Sequence, residues 1–327
     1  MEKGLDLVTG AGGFIGSHLV EHLLRTGRRV RALVRYASHG GSGFLAETPN
    51  ELLDRLEIFR GDVTDSRAVR TATRGCERVF HLAALIGIPY SYVAPESYVN
   101  VNILGTLNIL EAAREEGIDR LIVTSTSEVY GTAQFTPITE EHPLQGQSPY
   151  AATKIGADHL ALSYQRTYGL PVAVARPFNT YGPRQSSRAV IPTIITQALF
   201  ADEISIGSLA PVRDMVYVGD TVAGFDALAK CDACVGQATN LATGVAVSVG
   251  ELIERITAIV GRELRVVESE QRKRPENSEV FTLLGSAAKA ERIGGWKASV
   301  SLDAGLRKSI DWFRAHADPT RVKEYRV

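Results

Sequence analysis

Tyr150 and Lys154, in the run Ser148-Pro149-Tyr150-Ala151-Ala152-Thr153-Lys154, stand four residues apart. On a helix both side chains project from one face, so a phenol and an ammonium can serve one site. A free tyrosine has a pKa of about 10 and is a poor base at neutral pH. A nearby ammonium, together with an oxidised nicotinamide ring, favours the phenolate. The chemistry that suits the pair is removal of a proton by the phenolate as a general base. Tyr-x-x-x-Lys is also an ordinary surface-helix spacing, so its meaning depends on its company. A second run, Thr126-Ser127-Glu128-Val129-Tyr130-Gly131, supplies a carboxylate. With a reference pKa of about 4.3, Glu128 is ionised at neutral pH and available as a base. Capping of a nearby helix is the competing use for that carboxylate.

The elements that must position these residues are legible as an alternation. Leu5 to Thr9 reads as a short strand ended by glycines, and Ile15 to Arg25 has helical periodicity closed by Gly27. Further strands are expected at Val30 to Val34, Leu56 to Phe59, Arg78 to Leu82, Arg120 to Thr124 and Pro171 to Arg176. Helices are expected at Ser66 to Thr73, Tyr98 to Glu116, and through Tyr150. Strands alternating with helices imply an α/β fold, a doubly wound parallel sheet covered on both faces. Beyond Arg176, prolines punctuate shorter elements, as in a smaller, interleaved substrate-binding lobe. Ser248 to Val260 there reads as a helix with Glu251 at the capping-box position. The division expected is residues 1–176 plus 214–249 for the cofactor-binding domain and 177–213 plus 250–327 for the lobe. Ser38 to Gly43, with three glycines, reads as a mobile loop.

The chain of 327 residues is 44% hydrophobic and 22% charged, an ordinary globular composition. A net charge of -1 gives no global field for nucleic acid or an anionic membrane. No apolar run is long enough to span a bilayer, and the early glycine-rich pattern leaves no room for a signal peptide. Three cysteines, Cys76, Cys231 and Cys234, are too few for a disulfide framework, so a cytoplasmic location is the expectation. Cys231-Asp232-Ala233-Cys234 lacks a thioredoxin-like context and further metal ligands, and reads as an incidental pair. No metal is expected.

Thr9-Gly10-Ala11-Gly12-Gly13-Phe14-Ile15-Gly16 places three glycines, Gly10, Gly13 and Gly16, between the first strand and the first helix. They permit a tight turn and close approach of backbone to a pyrophosphate on the helix N-terminus. A carboxylate ending the second strand would bind ribose hydroxyls and favour NAD. Arg35 stands there instead and suits the 2′-phosphate of NADP. An Arg35 that points into solvent or stacks on adenine leaves NAD as the cofactor. Asp62 is placed to accept from the adenine amino group, and Thr64 or Asp65 to cap the next helix.

The assembled set resembles the extended short-chain dehydrogenase/reductase superfamily, in particular its nucleotide-sugar 4,6-dehydratases and epimerases. The matching runs are Thr9 to Gly16, Asp62, His81-Leu82-Ala83-Ala84, Asn102 with Gly105-Thr106, Thr124 to Gly131, Tyr150 with Lys154, Arg176 to Asn179, Tyr181 to Arg184, Arg213-Asp214, Tyr217 to Asp220 and Arg274-Pro275. The resemblance implies a tightly bound, recycled NAD or NADP held by Gly10, Gly13, Phe14, Ile15, Gly16, Arg35, Asp62, Val63, Leu82, Ala83, Ala84, Tyr150 and Lys154. It implies that Tyr150 takes the 4-hydroxyl proton, Lys154 binds the nicotinamide ribose and lowers the Tyr150 pKa, and Thr126 bonds the same oxygen. Asn179, Arg184, Arg213 and Arg274 are the positions implied to hold a nucleotide-diphosphate sugar.

Oxidation at C4 acidifies C5-H, and from that point dehydration, decarboxylation or 4-epimerisation can follow. Simple 4-epimerases of the family usually lack the Glu128 carboxylate. Many glucose dehydratases carry Asp-Glu where this chain has Ser127-Glu128, which leaves the acid for the departing hydroxyl open. The Thr-Ser-Glu form is similar to GDP-mannose 4,6-dehydratases and also to uronic acid decarboxylases, whereas Arg213-Asp214-Met215-Val216-Tyr217 resembles the dehydratase and epimerase form. Leu85 to Tyr92 and Leu144 to Pro149 resemble dehydratases of amino-sugar pathways such as that to legionaminic acid, which implies an N-acetylglucosamine nucleotide. A 4,6-dehydratase is the expectation. Non-catalytic, cofactor-sensing members of the fold typically lose the tyrosine or lysine, and this chain keeps both. A homodimer through the helices near Tyr98 to Glu116 and Tyr150 to Tyr168 is implied by resemblance.

Overall fold

In the computed structural model, residues 4–36, 41–269 and 280–322 are described. The first half alternates strands β1 (Leu5–Thr9), β2 (Arg29–Val34), β3 (Leu56–Arg60), β4 (Arg78–His81), β5 (Arg120–Thr124) and β6 (Val172–Pro177) with helices. Those helices are α1 (Phe14–Arg25), α2 (Ser66–Thr73), α3 (Ile88–Val93), α4 (Pro95–Tyr98), α5 (Gly105–Glu116) and α6 (Pro149–Tyr168). The second half adds strands β7 (Asn179–Tyr181), β8 (Glu203–Ile206), β9 (Val212–Tyr217), β10 (Ala238–Leu241), β11 (Ala246–Ser248), β12 (Arg265–Glu268) and β13 (Thr282–Leu283). Its helices are α7 (Val190–Phe200), α8 (Val218–Ala229), α9 (Val249–Val260), α10 (Ala288–Gly294) and α11 (Leu302–His316).

Seven strands form one sheet in the order β10-β6-β5-β4-β1-β2-β3, and every pairing in it is parallel. Successive strand residues face opposite layers. Leu7, Val79, Leu121 and Val123 pack under α2, α5 and α6, while Val8, Phe80 and Ile122 pack under α1 and α8. Burial on both faces accounts for the nearly continuous apolar runs of these strands. Strand order reverses beside β1, which opens a crevice at the carboxyl ends of β1 and β4.

Outside that sheet, β9 is flanked by β7, β11 and β13, so β11 and most of β9, within the 214–249 expected for the cofactor-binding domain, join strands away from the large sheet, and β8 pairs with β12. The expected capping box starts α9: the Ser248 N–H donates to Glu251 Oε2 at 2.8 Å, and the Glu251 N–H to Ser248 Oγ at 3.1 Å. The two halves are stitched together. The Ile138 N–H donates to the Leu284 carbonyl at 2.7 Å and the Ser286 N–H to that of Ile138 at 2.9 Å. Ala290 and Trp296, beyond the lobe sheet in sequence, sit in the core beneath α1 and α8.

Two local features differ from the sequence expectation. The helix expected over Tyr98 to Glu116 is interrupted by a π-helical turn at Val99–Leu104. There the buried Asn102 side chain bonds both the N–H and the carbonyl of Leu85, at 2.9 and 3.0 Å, and donates to Thr153 Oγ1 at 3.0 Å. Cys231 and Cys234, read as incidental, are joined in a disulfide, because the turn after α8 brings both sulfurs to one side. Of the glycine-rich loop, residues 37–40 lie outside the described residues. Beyond them the Phe44 N–H donates to the Gly12 carbonyl at 3.1 Å and anchors the segment on the first glycine turn.

Candidate active site

Helix α6 begins where Ser148 Oγ accepts from the Ala151 N–H at 3.1 Å, with Pro149 preset at the first helical position. From that start Tyr150, Lys154 and Asp158 fall on successive turns of one face, all buried. Tyr98 packs edge-on to Tyr150 with ring centroids 6.3 Å apart, and its own hydroxyl donates to the Gly87 carbonyl at 2.5 Å. Burial dominates the Tyr150 phenol and pushes its pKa up. The Thr126 hydroxyl opposes that shift as a donor, while the charges of Glu128 and Asp158 reinforce it. In the protein alone the phenol is therefore raised, because desolvation outweighs the favourable partners, whereas the sequence expectation of a favoured phenolate includes the oxidised nicotinamide. Burial likewise lowers Lys154 to about 8, with Asp158 opposing. Among the described residues the Lys154 ammonium has neither a hydrogen bond nor an ion pair.

The second run forms a turn at the carboxyl end of β5. Thr126 Oγ1 accepts from the Glu128 N–H at 3.2 Å and caps a single 3-10 turn over Ser127–Tyr130. This places Ser127 in a buried position and Glu128 in a half-buried one, near enough for its charge to act on Tyr150. The Glu128 carboxylate makes no hydrogen bond among the described residues, so the capping role open to it is not seen there.

Beneath both runs lies a network that the spacing of residues alone did not reveal. Asp158 Oδ2 accepts from Ser125 Oγ at 2.8 Å and from Arg176 Nε and Nη2 at 3.1 and 3.0 Å. Arg176 Nη1 donates to the Tyr130 hydroxyl at 3.0 Å, which donates to Asn240 Oδ1 at 2.7 Å. The available signal was a third polar residue, Asp158, continuing the four-residue spacing of Tyr150 and Lys154.

At the β1–β4 crevice, Gly10 has φ +67°, and a Cβ there would meet the Ala83 nitrogen at 2.9 Å. A Cβ at Gly16 would collide with the Gly10 carbonyl. Helix α1 has no side-chain cap and no acidic residue in its first turn, so the first-turn N–H groups at Phe14, Ile15 and Gly16 carry the partial positive end of the helix. Leu82, Ala83 and Ala84 are fixed by a relay. Thr9 Oγ1 accepts from the N–H groups of Leu82 and Ala83, at 3.1 and 3.0 Å, so its proton goes to His81 Nδ1 at 2.9 Å. His81 Nε2–H then donates to Thr106 Oγ1 at 3.1 Å, which donates to the Asn102 carbonyl at 2.6 Å. Burial holds this histidine neutral, with its pKa lowered to about 3.

Around the adenine end, Asp62 Oδ1 accepts from the Thr64 N–H and hydroxyl at 2.9 and 2.8 Å, and Asp65 caps α2. Val63 packs in the core against Gly105. Arg35 is exposed at the end of β2, with no hydrogen bond or ion pair among the described residues. The uncapped helix, the glycine turn and the partnerless buried ammonium together fit a dinucleotide laid across the carboxyl ends of β1 and β4. Among the described residues no group of three or more His, Cys, Asp or Glu side chains is placed to hold a metal.

On the lobe side, Asn179 is half-buried on β7, one strand from β9. Arg213 on β9 donates to the carbonyls of Val212 and Phe281 at 3.1 and 3.3 Å. Arg184, at φ +68°, is turned onto Glu21 of α1 at 2.7 Å and Glu47 of the turn after β2 at 3.1 Å, which match its charge. Arg274 lies outside the described residues.

A family model described as GDP-mannose 4,6 dehydratase matches residues 7–309. A dTDP-glucose 4,6-dehydratase of Streptomyces antibioticus is 32% identical over 313 residues, covering 94% of this chain and 92% of that one. A UDP-glucose 4-epimerase of Mycolicibacterium smegmatis is 34% identical over 314 residues, covering 94% and 98%. The crystal structure of DesIV, a dTDP-glucose 4,6-dehydratase from Streptomyces venezuelae with NAD bound, superposes with a TM-score of 0.86 at 30% identity, covering 95% of this chain and 97% of that one.

Proposed function

Since the chain belongs to the family of nucleotide-sugar 4,6-dehydratases and 4-epimerases, we propose that it is a 4,6-dehydratase acting on a nucleotide-diphosphate hexose. The observation that carries the choice is Glu128, an ionisable carboxylate beside the Tyr150 phenol with no hydrogen bond of its own among the described residues. A 4-epimerase needs no base at C5. A dehydratase does.

A bound oxidised nicotinamide would supply hydride acceptance and return, and positive charge beside a phenol that the protein alone leaves protonated. Tyr150 takes the proton of the 4-hydroxyl, with Thr126 bonded to the same oxygen and Lys154 on the nicotinamide ribose. Once C4 is a ketone, Glu128 removes the C5 proton and the C6 hydroxyl departs as water. Ser127 offers no second acid, so the proton taken by Glu128 is the one at hand for the leaving oxygen, and the proton that Tyr150 took from the 4-hydroxyl balances the one C5 regains when hydride adds at C6. Asn179, Arg213 and Arg274 are the residues proposed to hold the diphosphate. Arg184 is left out of that set because two carboxylates already neutralise it. An N-acetylglucosamine nucleotide is the proposed substrate. Incubation with a panel of UDP-, GDP-, dTDP- and CDP-sugars, followed by mass spectrometry, is expected to give a product lighter by one water with no net cofactor reduction. A product of unchanged mass, inverted at C4, replaces this reading by epimerisation, and carbon dioxide release from UDP-glucuronate replaces it by decarboxylation.

The cofactor is NAD or NADP, and Arg35 is the residue through which NADP would be preferred. A guanidinium–phosphate contact contributes about 1.5–3 kcal/mol, so Arg35→Ala is expected to weaken NADP binding by about tenfold or more while leaving NAD unchanged. Equal dissociation constants before and after the substitution remove Arg35 from cofactor choice. The exposed Val93, Val99, Leu104 and Tyr168, on or beside α3, α5 and α6, are the proposed homodimer surface. Light scattering is expected to give twice the 35.4 kDa chain mass, and a monomer at micromolar concentration contradicts it.

A further inference from the structure

Asp158 is a buried carboxylate whose two oxygens are treated unequally. Oδ2 collects three donors, from Ser125 and Arg176, whereas Oδ1 is buried with none. An unpartnered buried acceptor costs stability, about 1–3 kcal/mol for a neutral group and more for a charged one. A compensating cation stands one turn back on the same helix face. We propose that Asp158 is a positioning residue that keeps the Lys154 ammonium in its charged form, being itself held in place by Ser125 and Arg176. The inference rests on the site reading above, in which Lys154 must be a cation to serve the phenol and the ribose.

No ion pair joins the two residues, so the influence acts through space in a medium of low polarity. Charged and titratable groups surround them. His81 on β4 and Arg176 on β6 act on the pair directly, as does Tyr150 on α6 itself; Glu128 on the turn after β5 and Tyr98 on α4 act on Tyr150, and Tyr130 bonds Arg176. His81 is neutral in the relay described above, and Arg176 is spent on Asp158 and the Tyr130 hydroxyl. Asp158 is the group that opposes the loss of the Lys154 proton on burial. The same anion raises the phenol of Tyr150, so its net service is to the ammonium and not to the phenolate.

The test is a pH titration of lysine ¹³Cε resonances in the intact chain, without substrate. The chain has eight lysines, and Lys154 is assigned by its loss in Lys154→Arg. Its midpoint is expected at about 8 in the native chain. In Asp158→Asn it is expected to fall by about one pH unit or more, since the anion that favours the charged form is gone. Asp158→Glu, which keeps a carboxylate, is expected to restore it. An unmoved midpoint in a folded Asp158→Asn chain overturns the proposal. Should that variant not fold, the carboxyl carbon of Asp158 in the native chain, assigned by its loss in Asp158→Glu, is expected to shift through the Lys154 midpoint. No such step also overturns the proposal. Because the titration needs no turnover, a shifted Lys154 in a chain that dehydrates no nucleotide sugar defeats the functional reading and leaves this one intact.

Discussion

Glu128→Gln is expected to lower formation of the dehydrated product by about a hundredfold to ten-thousandfold, the usual range for loss of a general base, while C4 oxidation proceeds. Gln preserves the size of the side chain and the 3-10 turn capped by Thr126, and it cannot take a proton from C5. The signature is therefore accumulation of reduced cofactor, read at 340 nm, with the sugar held at the 4-keto stage. Loss of oxidation and elimination to the same degree would instead make Glu128 a residue that shapes the site. Full dehydration in the variant would place the base elsewhere.

Tyr150→Phe is expected to stop the earlier step. The hydroxyl removed carries the proton transfer, so cofactor reduction in a single turnover should fall by about a thousandfold or more. Nucleotide-sugar affinity should stay within about threefold, because the phenyl ring keeps its edge-on packing with Tyr98. The two variants separate the reaction into halves: one reduces cofactor and stalls, the other never reduces it. A Tyr150→Phe chain with native single-turnover rates would withdraw the phenol from the chemistry. The phenol is buried and its pKa is raised by that burial, so the positive charge arriving with the cofactor is what must offset desolvation.

The sheet was legible in the sequence because its strands are short apolar runs separated by glycine turns and amphipathic helices, and its parallel order follows from the crossovers. The family and its Rossmann architecture were legible for the same reason, since ordered motifs fall at the carboxyl ends of these strands. What spacing did not convey was burial. The Tyr150–Lys154 pair was read as a phenol made acidic by an ammonium together with an oxidised nicotinamide, and in the protein alone enclosing both groups penalises both charged forms. The π-helical turn at Val99–Leu104 was hidden because its cause, the bonding of Asn102 to Leu85 and Thr153, joins residues 17 and 51 positions apart. Arg184 shows the same gap. The resemblance implied a substrate contact there, and in the protein alone a left-handed backbone turns it onto Glu21 and Glu47, two carboxylates remote in sequence. The disulfide between Cys231 and Cys234 depended on the conformation of one turn, which composition does not report.

The seventh strand of the main sheet, β10, arrives only after the chain has left β6 and passed through β7, α7, β8, β9 and α8. The large sheet is therefore not a unit that the first half of the chain can complete. Ending the chain before Ala238 would leave β6 as an open edge, with the backbone groups that β10 pairs along Val174 to Pro177 unmet. Assembly of the sheet must wait for a segment more than sixty residues away in sequence, a closure whose entropic cost grows only slowly with length but whose pairing is slow to find. The cofactor crevice and the lobe beside it are thus topologically committed to each other before either has met a ligand.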